Sequence, residues 1–137
     1  VNFFTYAIGL DTNVLVRYIL QDDPKQANKA TKLIESLTSE NPGFITVVSI
    51  VNLYWILTSC FGLTSHQIKQ ALDILLRSKQ IIVERAEQVL CTLLVFADGK
   101  ADFADCLIER TAASAGCEQT LTFDVNAARH AGMTLIR

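Results

Sequence analysis

Two aspartates, Asp11 and Asp124, each follow directly on a short apolar run, Tyr6-Ala7-Ile8-Gly9-Leu10 before the first and Thr120-Leu121-Thr122-Phe123 before the second. Parallel strands open their carboxyl ends onto one edge of a sheet, so acids more than a hundred residues apart in this chain can meet there. A second pair, Asp102 and Asp105, stands three residues apart at the head of a segment whose later residues, Leu107 and Ile108, are apolar. That spacing puts both acids on one helix face. Carboxylates grouped in this way repel one another unless something positive sits among them, and the electrostatics are those of a cation cradle. Each acid also has a local explanation. An aspartate after a strand is a favoured N-cap, and one in a first turn complements the helix dipole. Capping accounts for Asp102 and leaves the role of Asp105 open.

Asn52 is unusual for a different reason. It stands alone as a polar residue in Ile50-Val51-Asn52-Leu53-Tyr54-Trp55-Ile56-Leu57, a stretch apolar on nearly every side. A helix of that kind is expected to be buried, and a buried amide without partners costs on the order of 1–3 kcal/mol. Asn52 is therefore expected to face a hydrogen-bonding neighbour or a water-filled polar site, with a satisfied core or interface amide as the plainer reading. His66 and His130 read as surface residues. Cys60, Cys91, Cys106 and Cys117 are far apart and form no CxxC pair, so they read as reduced structural thiols of a cytoplasmic protein and not as a zinc or redox site.

The net charge of −2 gives no global attraction to a polyanion. A nucleic-acid substrate would need bound cations or a local basic rim, for which Arg17, Lys100, Arg110 and Arg129 are candidates beside the acidic motifs. Ordinary solvated charge explains each of these singly. Half of the residues are hydrophobic and 19% are charged, the composition of a packed domain and not of a disordered tail. No basic n-region precedes the apolar start, and the longest apolar stretch, residues 44–57, is shorter than the roughly 20 residues a membrane span needs. Neither a signal peptide nor a transmembrane segment is expected.

The elements that must position these residues alternate along the chain. Apolar or β-branched runs at residues 6–10, 44–47, 80–83, 120–123 and 133–136 predict strands. Helical spacing predicts helices starting at Asp11, over residues 25–37 behind Asp23-Pro24, and over 50–61 behind a Ser49 cap. Further helices are expected from Thr64 or Ser65, with Ile68, Leu72, Leu75 and Leu76 inward, and over residues 86–96, with Val89, Leu90, Leu93 and Leu94 apolar. The last two fall at 103–115, ended by Gly116, and at 127–131. Asp98-Gly99-Lys100 reads as a turn. The order predicts an α/β fold, a central parallel sheet in a three-layer α/β/α arrangement, filling one domain over residues 1–137.

Taken in order, Leu10-Asp11-Thr12-Asn13-Val14-Leu15, the helix over residues 51–57 before Phe61-Gly62-Leu63-Thr64, Ala101-Asp102-Phe103-Ala104-Asp105-Cys106-Leu107-Ile108, and Leu121-Thr122-Phe123-Asp124 resemble the successive motifs of PIN domains. The resemblance covers nearly the whole chain and is strongest to the toxins of bacterial VapBC toxin–antitoxin pairs. It implies a metal-dependent endoribonuclease that cleaves RNA with Mg²⁺ or Mn²⁺, pairs with a cognate antitoxin protein and forms a homodimer. Helices over residues 25–37 and 50–61 offer apolar surface for such contacts. By motif position the resemblance makes Asp11, Asp105 and Asp124 catalytic and metal-holding, and Asp102 an additional metal acid. Thr12, Asn13 and Thr122 would line the site. Hydrolysis of a phosphodiester needs an activated water, polarised phosphoryl oxygens and a stabilised leaving oxygen, all of which divalent ions supply.

Asn52 departs from the pattern, since it falls where the family has a glutamate. An amide offers a neutral carbonyl oxygen and neither a base nor a strong ligand for a hard cation. Asp102 compensates, or the chain is a weakened or inactive PIN-fold module that binds antitoxin or RNA without cleaving. A phosphotransfer enzyme of haloacid-dehalogenase type would need an acid where Asn13 stands. A response-regulator receiver would need a neighbouring acidic pair at the first strand and a strand-end lysine before the last helix, and both are missing.

Overall fold

The apolar run ahead of Asp11 becomes a strand because it finds a partner: Ile8 and Gly9 (β1, Ile8–Gly9) lie in parallel register with Gly43 and Phe44 of β2 (Gly43–Ile45). β2 in turn pairs in parallel with β3 (Ile81–Val83), giving a three-stranded sheet in the order β1-β2-β3. Gly43 makes the close approach possible. A Cβ there would stand 2.7 Å from Leu10 Cδ1 and 2.9 Å from Leu37 Cδ1, well inside contact distance. The computed structural model describes residues 7–98 and 100–137, which fall into two compact units, Val1–Glu84 and Arg85–Arg137. Tyr6 of the first predicted strand and Gly99 of the predicted turn lie outside the described residues.

Parallel neighbours need helical crossovers, and in the first unit each crossover is a helix pair. α1 (Thr12–Leu20) and α2 (Pro24–Glu35) join β1 to β2, while α3 (Val47–Ser59) and α4 (Ser65–Arg77) join β2 to β3. Their ends are written in short-range chemistry. Asp23 accepts hydrogen bonds from Lys25 and Gln26 N–H ahead of the first-turn Pro24. Thr64 and Gln67 close a reciprocal capping box at α4, Gln67 N–H donating to Thr64 Oγ1 at 3.2 Å and Thr64 N–H to Gln67 Oε1 at 2.9 Å. The core of this unit is Leu15, Val16, Ile45, Ile50, Leu53, Leu57, Ile68, Leu72 and Leu75, all buried.

α3 corrects two expectations. Its cap is Thr46 and not Ser49, because β2 stops at Ile45 and the Thr46 hydroxyl then accepts from Ser49 N–H at 3.1 Å. Glu84, just past β3, satisfies another first-turn donor by accepting from Val47 N–H at 2.9 Å. The helix is also not buried all round: Ile50, Leu53 and Leu57 are inside, whereas Val48 is 69% and Trp55 60% exposed, and Asn52 lies on that open face. An apolar composition permits burial on every side, but a helix laid on one layer buries only the stripe that meets it.

In the second unit α5 (Ala86–Asp98) packs on α6 (Phe103–Ser114). Val89, Thr92 and Leu93 are buried, and Phe96 meets Phe103 edge-on with ring centres 5.6 Å apart. Leu90 and Leu94, expected with the apolar face, are instead 44% and 54% exposed, since they lie off the side that meets α6. α6 ends at Gly116, whose φ of +100° suits glycine. β4 (Leu121–Thr122) pairs in parallel with β5 (Thr134–Leu135) across α7 (Val125–His130). Among the described residues no helix is long and apolar enough to cross a membrane. Thr64→Ala removes one half of the capping box and is expected to cost about 1 kcal/mol of stability, seen as a lower urea midpoint at unchanged slope; an unshifted midpoint contradicts the assignment.

Candidate active site

The second unit carries three of the sequence's candidate acids at two helix starts. Asp102 is the N-cap of α6, its Oδ1 accepting from Asp105 N–H at 3.1 Å. Asp124 is the N-cap of α7, its Oδ1 accepting from Asn126 N–H at 2.8 Å and Ala127 N–H at 3.3 Å. Thr122, the last residue of β4, accepts from Asp124 N–H at 3.0 Å and so sets the turn that carries the carboxylate. Asp105 stands half-buried in the first turn of α6, with its side chain outside that capping pattern. Its carboxyl is held above the ordinary range by burial first, then by the charges of Asp102 and Asp124. Asp105 and Asp124 lie nineteen residues apart in the sequence, yet the Asp124 charge contributes to the raising of Asp105.

Cys106 lies next to Asp105 on α6 and is buried beside these acids. Burial is the main cause that pushes its thiol up to about 11, and Asp102, Asp105 and Glu109 add to it. Glu109 was not singled out in the sequence, although it lies one turn beyond Asp105, at the i+4 position of α6. Its carboxyl carbon is 3.6 Å from the point a Cβ on Gly132 would occupy.

In the first unit Asp11 is exposed at the end of β1 and caps α1, its Oδ1 accepting from Thr12 N–H at 2.8 Å. Thr12 is buried and Asn13 exposed. Asn52 belongs to the same unit; being exposed, its amide needs no buried partner, and the expected desolvation cost does not arise. Arg17 is committed locally: its Nη1 donates to both oxygens of Asp22 at 2.9 and 2.8 Å, which holds the Asp22 carboxyl below its ordinary range. Lys100 and Arg129 are exposed and Arg110 half-buried; among the described residues none of them is paired with Asp105 or Asp124. His66 is exposed, as expected, and His130 half-buried.

Capping and function do not compete for these aspartates. The hydrogen bonds that cap α1 and α7 use Oδ1 alone, and among the described residues neither Asp11 nor Asp124 has a protein donor on Oδ2. Hard carboxylate oxygens are the donors a hard divalent cation takes. Among the described residues no three His, Cys, Asp or Glu side chains converge closely enough to enclose an ion by themselves. The arrangement fits an ion that keeps several of its waters and takes one or two carboxylates directly, as Mg²⁺ does.

The sequence profile of the family described as PIN domain matches residues 8–133 of the chain. No curated protein sequence matches it.

Two outcomes follow from the acid field. The Asp105 carboxyl titrates higher in the fold than in the unfolded chain, so its ionisation weakens the metal-free protein as pH rises through the folded value; below the unfolded value the penalty is gone. Asp105→Asn should raise the melting temperature in EDTA at pH 7 by a small amount, on the order of 1–2 °C for a half-exposed, screened charge. The gain should shrink as the pH falls into the acid range, and a variant less stable at pH 7 contradicts the repulsion. A thiol-reactive dye should label exposed Cys60, Cys91 and Cys117 in the native protein and reach Cys106, 3% exposed, only after unfolding. Equal labelling of all four before unfolding contradicts the burial.

Proposed function

Because this chain belongs to the PIN-domain family, whose members are generally nucleases that use divalent metals, we propose that it is a Mg²⁺- or Mn²⁺-dependent endoribonuclease acting as the toxin of a toxin–antitoxin pair. The observation that supports the reading is Asp105, half-buried at the start of α6, whose carboxyl is raised first by burial and then by the charges of Asp102 and Asp124, the caps of α6 and α7. Within the second unit Asp105 and Asp124, with Asp102, are the residues that would hold the ion; Asp11, at the end of β1 in the first unit, is assigned a metal role by its motif position alone. When bound, the ion supplies acidification of water and neutralisation of charge on the phosphodiester. The chain's own contribution is orientation. Backbone N–H groups fix one oxygen of each capping carboxylate, so the other oxygen is aimed without loss of further freedom on binding.

A second reading rests on Asn52. Where the family carries a glutamate, this chain offers an exposed neutral amide on α3. An amide neither takes a proton nor balances a divalent charge, so the chain is the weaker nuclease of its kind, or a module that binds RNA or antitoxin without cutting. The partners proposed are RNA, a cognate antitoxin and a second copy of the chain. Exposed apolar residues on separate helices support the protein contacts: Val48 and Trp55 on α3, and Leu90, Leu94 and Val95 on α5. The cytoplasm, where thiols such as these stay reduced, is the proposed compartment.

Incubation of the purified chain with single-stranded RNA tests the reading. Cleavage should need Mg²⁺ or Mn²⁺, stop in EDTA and fall at least about 100-fold in Asp105→Asn, the upper end of what loss of an outer-shell partner costs a metal site. Asn52→Glu should raise the rate. Cleavage that persists in EDTA removes the metal-dependent mechanism, and cleavage only in Asn52→Glu establishes the binding-only form.

A further inference from the structure

The basic residues of the first unit are not scattered. Lys25, Lys29 and Lys32 occupy positions i, i+4 and i+7 of α2, all exposed, and among the described residues none is in an ion pair. At about 100° per residue they form one stripe spanning about 10 Å of helix axis. The buried positions Ala27, Ala30 and Ile34 lie on the far side of the helix. Between stripe and core lies the face that meets α1, and there the two helices enclose a cavity of ≈ 430 Å³. Lys29 and Arg17 line it with the amides of Asn13 and Gln26, over a floor that includes Val14 and Leu33. Lys29 thus belongs both to the stripe and to the wall of a groove that begins at Asn13, two residues past Asp11, with Lys25 and Lys32 one turn to either side of it on α2.

The chemistry of the groove is divided. Apolar carbon and two amides suit the face and edge of a base, and a cavity near the lower part of the roughly 300–1,000 Å³ ligand range holds one such unit. The cations suit phosphates. Arg17 is braced by Asp22 through Nη1, so the hydrogen bonds it makes leave Nε and Nη2 for the cavity. In a chain of net charge −2, three unpaired lysines in one stripe concentrate a positive potential that the whole molecule lacks.

The geometry points to a single strand of RNA lying along the α1–α2 groove, one base seated in the cavity and successive phosphates on Lys25, Lys29 and Lys32. This rests on the nuclease reading for the choice of RNA. It adds a binding track on the first unit, carried by the α2 lysines, which lie outside the acidic motifs. The track gives a substrate purchase beside Asp11, and it acts in binding whether or not cleavage follows.

Titration of a fluorescent single-stranded RNA at several salt concentrations, in the Asp105→Asn background to keep the RNA whole, tests it. Each phosphate contact contributes about 0.7 to the slope of log affinity against log salt for single strands. Replacing Lys25, Lys29 and Lys32 together by Gln should lower that slope by about 2 and weaken binding at low salt more than tenfold, with the melting temperature unchanged. A control replacing Lys69, Lys79 and Arg137 by Gln should leave the slope nearly as it was. An equal drop in the control, or an unchanged slope in the stripe variant, overturns the track. Loss of binding to a polyglutamate peptide with RNA binding intact also overturns it, and assigns the stripe to an acidic protein partner. Cleavage by the unmutated chain separates the two claims: a non-cleaving chain whose RNA binding follows the stripe keeps the track and loses the nuclease, and a cleaving chain indifferent to the stripe does the reverse.

Discussion

A carboxylate that caps a helix is held in place by hydrogen bonds from backbone N–H groups that the helix itself leaves without partners. This chain uses that bond at Asp11, Asp102 and Asp124, and the second unit places two such caps beside the first-turn Asp105. The caps are local and favourable, whereas the gathering of like charge is not. Asp105 bears the result, since burial and two neighbouring acids act on it together. The fold thus stores a modest electrostatic strain at one place, with Cys106 beneath it registering the same field. Native structures tolerate such a concentration where a bound cation relieves it.

The scaffold that carries the acids is economical in hydrogen-bonded strand. β1, β4 and β5 have two residues each, and β2 and β3 have three. Strands so short do not hold a register through their ladders, and the helices must do it. Gly43 allows Leu10 and Leu37 to close over the sheet, and Glu84 ties the end of β3 to the start of α3. Asp11 and Asp124 sit where strand gives way to helix, so their positions are set by the packing of the elements on both sides.

The surface divides its chemistry among separate helices. α2 presents lysines, α3 and α5 present apolar side chains to solvent, and the starts of α6 and α7 present acids. Trp55 is 60% exposed, Val48 69% and Leu94 54%. Lysine, apolar and acidic surface are thus carried by different helices.

The sequence by itself determined the features that depend on a few neighbouring residues. Strand runs ending in Asp11 and Asp124, the Asp23-Pro24 start, the Thr64–Gln67 box and the glycine stop at Gly116 are all short-range hydrogen-bond or backbone preferences, and each stands where its local chemistry puts it. The motif order sufficed for the family, because it samples such positions along nearly the whole chain. Which side of α3 and α5 is buried was decided only by tertiary structure: an apolar stretch is compatible with several faces, and the element packed against it selects one. The same holds for Thr46 taking the cap from Ser49, for Arg17 closing on Asp22 and for the charge coupling of Asp105 to Asp124. Interactions of that kind need a distance, and a distance across the fold exists only once the packing has closed.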